Sequence, residues 1–92
     1  MKIKELIILY NKVYELCKNN DNANKGRDYN LYVLVEDDVL ELHKKNNEYG
    51  YKDVYGTLNG GYDNFNKCLE NMMEEWFIQK IINQEGCLYY ED

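Results

Sequence analysis

Cys17, Cys68, Cys87 and the single histidine, His43, are the side chains from which a nucleophile–base pair or a zinc site would have to be built. A cysteine nucleophile needs a base beside it, and zinc would need all three cysteines together with His43. The spacing marks neither arrangement. No C-x-x-C pair occurs and the cysteines are odd in number. Cys17 and Cys68 fall on apolar helical stripes, where a free thiol behaves as a small hydrophobe. Paired carboxylates stand at Asp37/Asp38 and Glu74/Glu75. A hydrolytic pair works in a cleft that separates its two pKa values. Here the first pair falls at a hairpin tip and the second points round a helix. Asp38, Glu41 and Lys44 do not alternate onto one strand face, as the acidic cluster of a metal-dependent nuclease would. There is no Gly-rich nucleotide loop, no G-x-S-x-G and no H-E-x-x-H. The expectation is a non-enzyme with no catalytic residue, metal or cofactor.

The elements that carry these residues are legible from periodicity. Residues 3–18 are amphipathic at helical spacing: Ile3, Leu6, Ile7, Tyr10, Val13, Tyr14 and Cys17 form one stripe, and Ile8 falls among the polar set. Residues 19–27 are polar and aperiodic, a loop containing Gly26. From residue 29 the period changes to two. With Asp37-Asp38 as a two-residue turn, Val35 faces Leu40, Val33 faces Leu42 and Leu31 faces Lys44. Leu31, Val33, Val35, Leu40 and Leu42 then share a core face, while Tyr32, Leu34, Glu36, Val39, Glu41 and His43 share an amphipathic one. Residues 49–58 predict a third strand with Tyr49, Tyr51, Asp53, Tyr55 and Thr57 on one side, ended by Asn59-Gly60-Gly61. Asp63 or a neighbour caps a second helix running to about residue 83, with Tyr62, Phe65, Cys68, Leu69, Met72, Met73 and Trp76 as its stripe. After Trp76 the phase shifts to Phe77, Ile78 and Ile81, which predicts a kink, a short second helix or an apolar patch. Residues 87–90 have the composition of a short extra strand. The predicted fold is α+β: one two-layer domain over residues 1–92, with an N-terminal helix, a three-stranded antiparallel sheet and a C-terminal helix.

Ninety-two residues of 11.1 kDa allow one small domain, and 45% hydrophobic residues supply it with a core. Eleven basic against seventeen acidic side chains give a net charge of −6, which argues against direct nucleic-acid binding through a basic patch and against a polybasic membrane element. No apolar run reaches membrane-helix length and no secretory signal pattern appears, so a soluble, cytoplasmic chain is expected. The charge is uneven. Residues 1–27 hold six basic and three acidic side chains, and residues 28–92 hold five basic and fourteen acidic ones. Lys, Asn, Ile and Tyr are abundant and Pro is absent, a bias of AT-rich coding that fits a low-GC bacterium or its phage. The ten tyrosines offer rigid contact area with a hydroxyl.

A short acidic chain ordered helix, three antiparallel strands, helix resembles the small phage anti-CRISPR proteins, in which acidic side chains stand in for DNA phosphates on a Cas nuclease. The resemblance implies a non-catalytic inhibitor that binds a basic, nucleic-acid-handling protein in a bacterial host cell, by DNA mimicry or steric occlusion. Contacts are expected on Glu36, Asp37, Asp38, Glu41, Glu70 and Glu74, with Tyr49, Tyr51 and Tyr55 as aromatic anchors. Two alternatives share these features. One is an immunity protein or antitoxin that neutralises a basic nuclease toxin. The other is a homo-oligomeric structural protein pairing through Ile8, Phe77, Ile78 and Ile81, so both monomer and homodimer remain open.

Overall fold

The computed structural model describes residues 3–36, 38–53 and 55–82. They form α1 (Ile3–Ala23), β1 (Tyr29–Val35), β2 (Asp38–Lys45), β3 (Glu48–Lys52), β4 (Leu58–Tyr62) and α2 (Phe65–Ile82). The α+β class is as expected, but the sheet has four strands rather than three, in the antiparallel order β1-β2-β3-β4. Residues 87–90, expected as a short strand, lie outside the described residues, as does Asp37.

The extra strand comes from Asp53. The expected third strand, residues 49–58, stops at Lys52 because the Asp53 carboxylate gathers the chain into a turn. Its Oδ1 accepts the backbone N–H groups of Tyr55 (2.9 Å) and Thr57 (2.8 Å), and Oδ2 accepts Asn59 Nδ2–H at 3.0 Å. Gly56 supplies the left-handed residue at φ 84°. The chain then returns as β4, where Asn59-Gly60-Gly61 was expected to be only a turn. β3 and β4 pair with a register shift between Tyr49 and Tyr51. The close approach there requires Gly50, since a Cβ would meet Asn59 O at 2.9 Å.

In the first hairpin Val35 pairs with Asp38, Val33 with Leu40 and Leu31 with Leu42. The hairpin therefore closes on the pair Val35 and Asp38, where Asp37-Asp38 as the turn would have paired Val35 with Leu40, a register slip of two. A slip of two preserves the pleat, so Val33, Val35, Leu40 and Leu42 are buried on one face as expected. The turn moves because Glu36 takes the left-handed conformation (φ 57°) and Asp38 is drawn into the strand by α2. The Asp38 carboxylate accepts Trp76 Nε1–H at 3.1 Å and pairs with Lys80 Nζ at 2.8 Å.

α1 runs five residues past its expected end. Asn24 closes it, with backbone N–H and Nδ2–H both donating to Asn20 O, and Tyr29 O–H donates to Asp21 Oδ1 at 2.8 Å. The cap expected at Asp63 or a neighbour is Asn64, whose Oδ1 accepts Lys67 N–H at 3.1 Å. α2 continues as one helix past Trp76 to Ile82, so of the three explanations for the phase shift the short second helix is not seen. The phase shift arises because α2 has two neighbours. Leu69, Met72, Met73 and Trp76 are buried in the core, while Phe77 packs edge-on against Tyr10 of α1 at 5.4 Å. Both helices lie on one face of the sheet, and Leu6, Val13, Cys17, Leu42, Cys68 and Leu69 sit buried within this core. Full burial of such an apolar side chain contributes about 1.5–3 kcal/mol.

Candidate interaction surface

Among the described residues, no element covers the face of the sheet away from the helices, its open face. Alternation along β1 and β2 turns Asn30, Tyr32 and Leu34, with Val39, Glu41 and His43, onto it. Tyr32, Leu34 and Val39 are exposed, Leu34 at 73%, and Leu34 and Val39 are direct cross-strand partners. Leu58 of β4, also exposed, sits opposite Lys52 at the far side. Glu36, exposed, stands where the hairpin turns.

A polar chain crosses the middle of this face. His43 Nδ1 is 2.7 Å from Asn30 Oδ1. Its Nε2 is shielded from solvent and lies 2.8 Å from Glu41 Oε2, close but outside hydrogen-bonding alignment. Glu41 Oε1 is 3.9 Å from Lys52 Nζ. Glu41 is thus held between His43 and Lys52 rather than presented outward.

The expected acidic contact set is divided. Glu36 and Glu41 belong to the hairpin and the open face. Asp38 is turned under the hairpin end to α2, and the Lys80 ammonium holds its carboxyl below the usual carboxylate range, aided by the Trp76 N–H and opposed by partial burial. Asp38 also lines a cleft of about 370 Å³ with Lys52, Asp53, Glu75 and Trp76. Glu70 and Glu74 are exposed on the helical side, where they add to the effect of burial in raising the Tyr10 pKa. Asp37 lies outside the described residues.

The tyrosine anchors also separate. Tyr51 is in the core at 6% exposure, its O–H 3.4 Å from Glu75 Oε2, with burial first and then Glu75 raising its pKa. Tyr49 is half-buried, edge-on to Phe65 and beneath the Lys44 ammonium. Tyr55 alone is exposed, at 82%, in the Asp53 turn. The assumption of one continuous strand put all three on one face, and the Asp53 turn removes it. Of the expected oligomer patch, Phe77 and Ile78 line a groove with Ile7 and Tyr10, whereas Ile8 faces the other flank of α1; the Ile81 side chain is outside the described residues.

His43 and the two described cysteines are on opposite sides of the sheet. Burial pushes the Cys17 thiol up to about 11 and the Cys68 thiol up to about 12, so neither is a thiolate near neutrality. Among the described residues no three His, Cys, Asp or Glu side chains gather as metal ligands, and no helix is long and apolar enough to cross a membrane. Tyr32, Leu34 and Val39 share the amphipathic face by strict alternation, but no motif or charge in the sequence marks them, or Leu58, as a site. No family model matches the chain, and neither the curated proteins nor the solved structures yield a match.

Proposed function

We propose that the protein is a non-catalytic binding protein that docks a basic, nucleic-acid-handling partner through the open face of its sheet. The observation that carries this reading is the exposed row of Tyr32, Leu34 and Val39 beside Glu36 and Glu41. An apolar centre with a charged rim is the usual anatomy of a protein interface. The acidic excess of residues 28–92 gives the partner its sign through the field of the whole molecule, since on the open face itself Glu36 and Glu41 share the surface with Lys45 and Lys52. Complementary charge raises association rates and suppresses wrong partners. In the version nearest the anti-CRISPR proteins the partner is a Cas effector, and the carboxylates occupy a surface meant for phosphates.

The test is binding of the purified protein to purified Cas effectors and basic nuclease toxins, at low and high salt. A Leu34→Lys, Val39→Lys variant is expected to lose at least tenfold in affinity, the scale of an interface hot spot. A Glu36→Lys variant is expected to slow association and flatten the salt dependence. Affinity and on-rate unchanged in both variants would remove the open face from the interface.

A further inference from the structure

Among the described residues the sheet has two unpaired edges, β1 and β4, and they differ. β4 is blunted: five residues with Gly60-Gly61 at its centre, joined to β3 through a register shift. Shortness, glycine and irregular pairing are devices by which proteins discourage edge-to-edge association. β1 carries none of them. Its seven residues, Tyr-Asn-Leu-Tyr-Val-Leu-Val, contain no charge, no Pro and no Gly, and pair with β2 in uninterrupted register.

The register also says which backbone groups are unused. Facing residues in an antiparallel ladder alternate between pairs that exchange both backbone hydrogen bonds and pairs that exchange none. A two-residue turn closes on a bonded pair, here Val35 and Asp38. Counting back by twos, Val33, Leu31 and Tyr29 direct their N–H and C=O groups to β2. Those of Asn30, Tyr32 and Leu34 are directed to the free edge.

α1 packs over β1 and carries a second unsatisfied feature beside this edge. One flank of α1 meets α2 through Ile7 and Tyr10. The opposite flank, with Ile8, Leu9 and Lys12, borders Glu36 at the end of β1. Leu16 continues that flank, one turn beyond Lys12. Ile8 and Leu16 are about half exposed there, at 55% and 48%.

We infer that two copies of this chain pair antiparallel along β1, about a twofold axis at Tyr32, to form one eight-stranded sheet. Tyr32 is the midpoint of β1, so this register alone overlaps all seven residues. It places Asn30 opposite Leu34 of the second copy and satisfies the outward backbone groups of all three edge residues. It also sets the two α1 flanks side by side, covering Leu16 and Ile8. A second copy is the occupant because an uncharged strand paired with itself antiparallel is its own complement, the geometry of an isologous twofold interface. The open face stays uncovered, so this pairing stands or falls separately from the partner reading.

The experiment combines light scattering with a register-specific cross-link in a Cys87→Ser background. The protein is expected at twice its 11.1 kDa chain mass. Tyr32→Cys is expected to form an intermolecular disulfide under mild oxidation, because facing bonded residues have Cα atoms about 5.5 Å apart, within disulfide reach. Leu58→Cys, on the blunted edge, is expected not to. Leu16→Glu, at a half-exposed site that leaves the core intact, and Tyr32→Pro, which removes an outward N–H, are both expected to give monomers. A monomeric wild type, a dimer indifferent to Leu16→Glu, or cross-linking through Leu58→Cys but not Tyr32→Cys would overturn the inference.

Discussion

Two aspartates do unequal work at neighbouring places in this fold. Asp53 organises a turn with hydrogen bonds to two backbone N–H groups and one side chain, and the first of these, from Thr57, holds its carboxyl below the usual range. Asp38 joins the hairpin to α2 through Lys80 and Trp76. Asp38→Ala is expected to cost about 1 kcal/mol, chiefly by leaving the Trp76 N–H without its acceptor, since an exposed ion pair adds little. Both carboxyls have lowered folded pKa values, so their stabilisation is fully present above the ordinary carboxyl pKa of about 4 and is lost as pH falls through the folded values. Acid titration of the melting temperature should show this loss begin near pH 4, with Asp53→Asn, Asp38→Asn flattening it; an unaltered acid limb in that variant would contradict the assignment. None of this was legible in the sequence, where Asp38 resembled a solvated tip and Asp53 a strand residue. A turn-forming aspartate is recognised by the N–H groups two and four residues on, and Asp38 by partners on a distant helix.

At the scale of elements, periodicity was informative wherever one face alone is buried. Leu31, Val33, Val35, Leu40 and Leu42 alternate, and the structure keeps them on the core side even though the register differs by two. Periodicity failed where an element has two neighbours or none. Phe77 departs from the α2 stripe because α1 receives it, and β4 escaped notice because Leu-Asn-Gly-Gly-Tyr has little strand propensity and is held by pairing to β3. Gly50→Ala tests that pairing: its Cβ would sit 2.9 Å from Asn59 O, a backbone atom that cannot swing aside. The substitution should lower the melting temperature and expose the β3–β4 amides to hydrogen exchange, whereas Leu58→Ala at the exposed face should do neither. Leu69→Ala, at a fully buried site between helix and sheet, should cost about 2–5 kcal/mol in denaturant unfolding.

At the scale of the whole molecule, the described residues put two helices on one side of a four-stranded sheet and leave the other face uncovered. Burial raises the Cys17 and Cys68 thiols, with Tyr29 and Tyr51 raised by burial and neighbouring carboxylates. Each contributes stability that is fully present below its ordinary pKa and is lost as pH rises through the folded value. Stability should therefore begin to fall above about pH 9, with Tyr29 and Tyr51 ionising only as the chain unfolds, and either of these two titrating independently of unfolding would contradict this packing. The charge of the molecule was evident in its sequence, but its distribution was not. Glu36 and Glu41 lie with the sheet, Glu70 and Glu74 lie behind it on α2, and Tyr32, Leu34 and Val39 supply the exposed apolar area that tyrosines 49 and 51 do not. The central claim is that this open face is where a basic partner docks. It is tested most directly by the affinity of purified protein for purified Cas effectors and basic nuclease toxins, comparing wild type with Leu34→Lys, Val39→Lys. The account predicts salt-sensitive binding to one of them that falls at least tenfold in a variant that still folds, whereas binding of equal strength in both proteins, or to no member of either class, would contradict it.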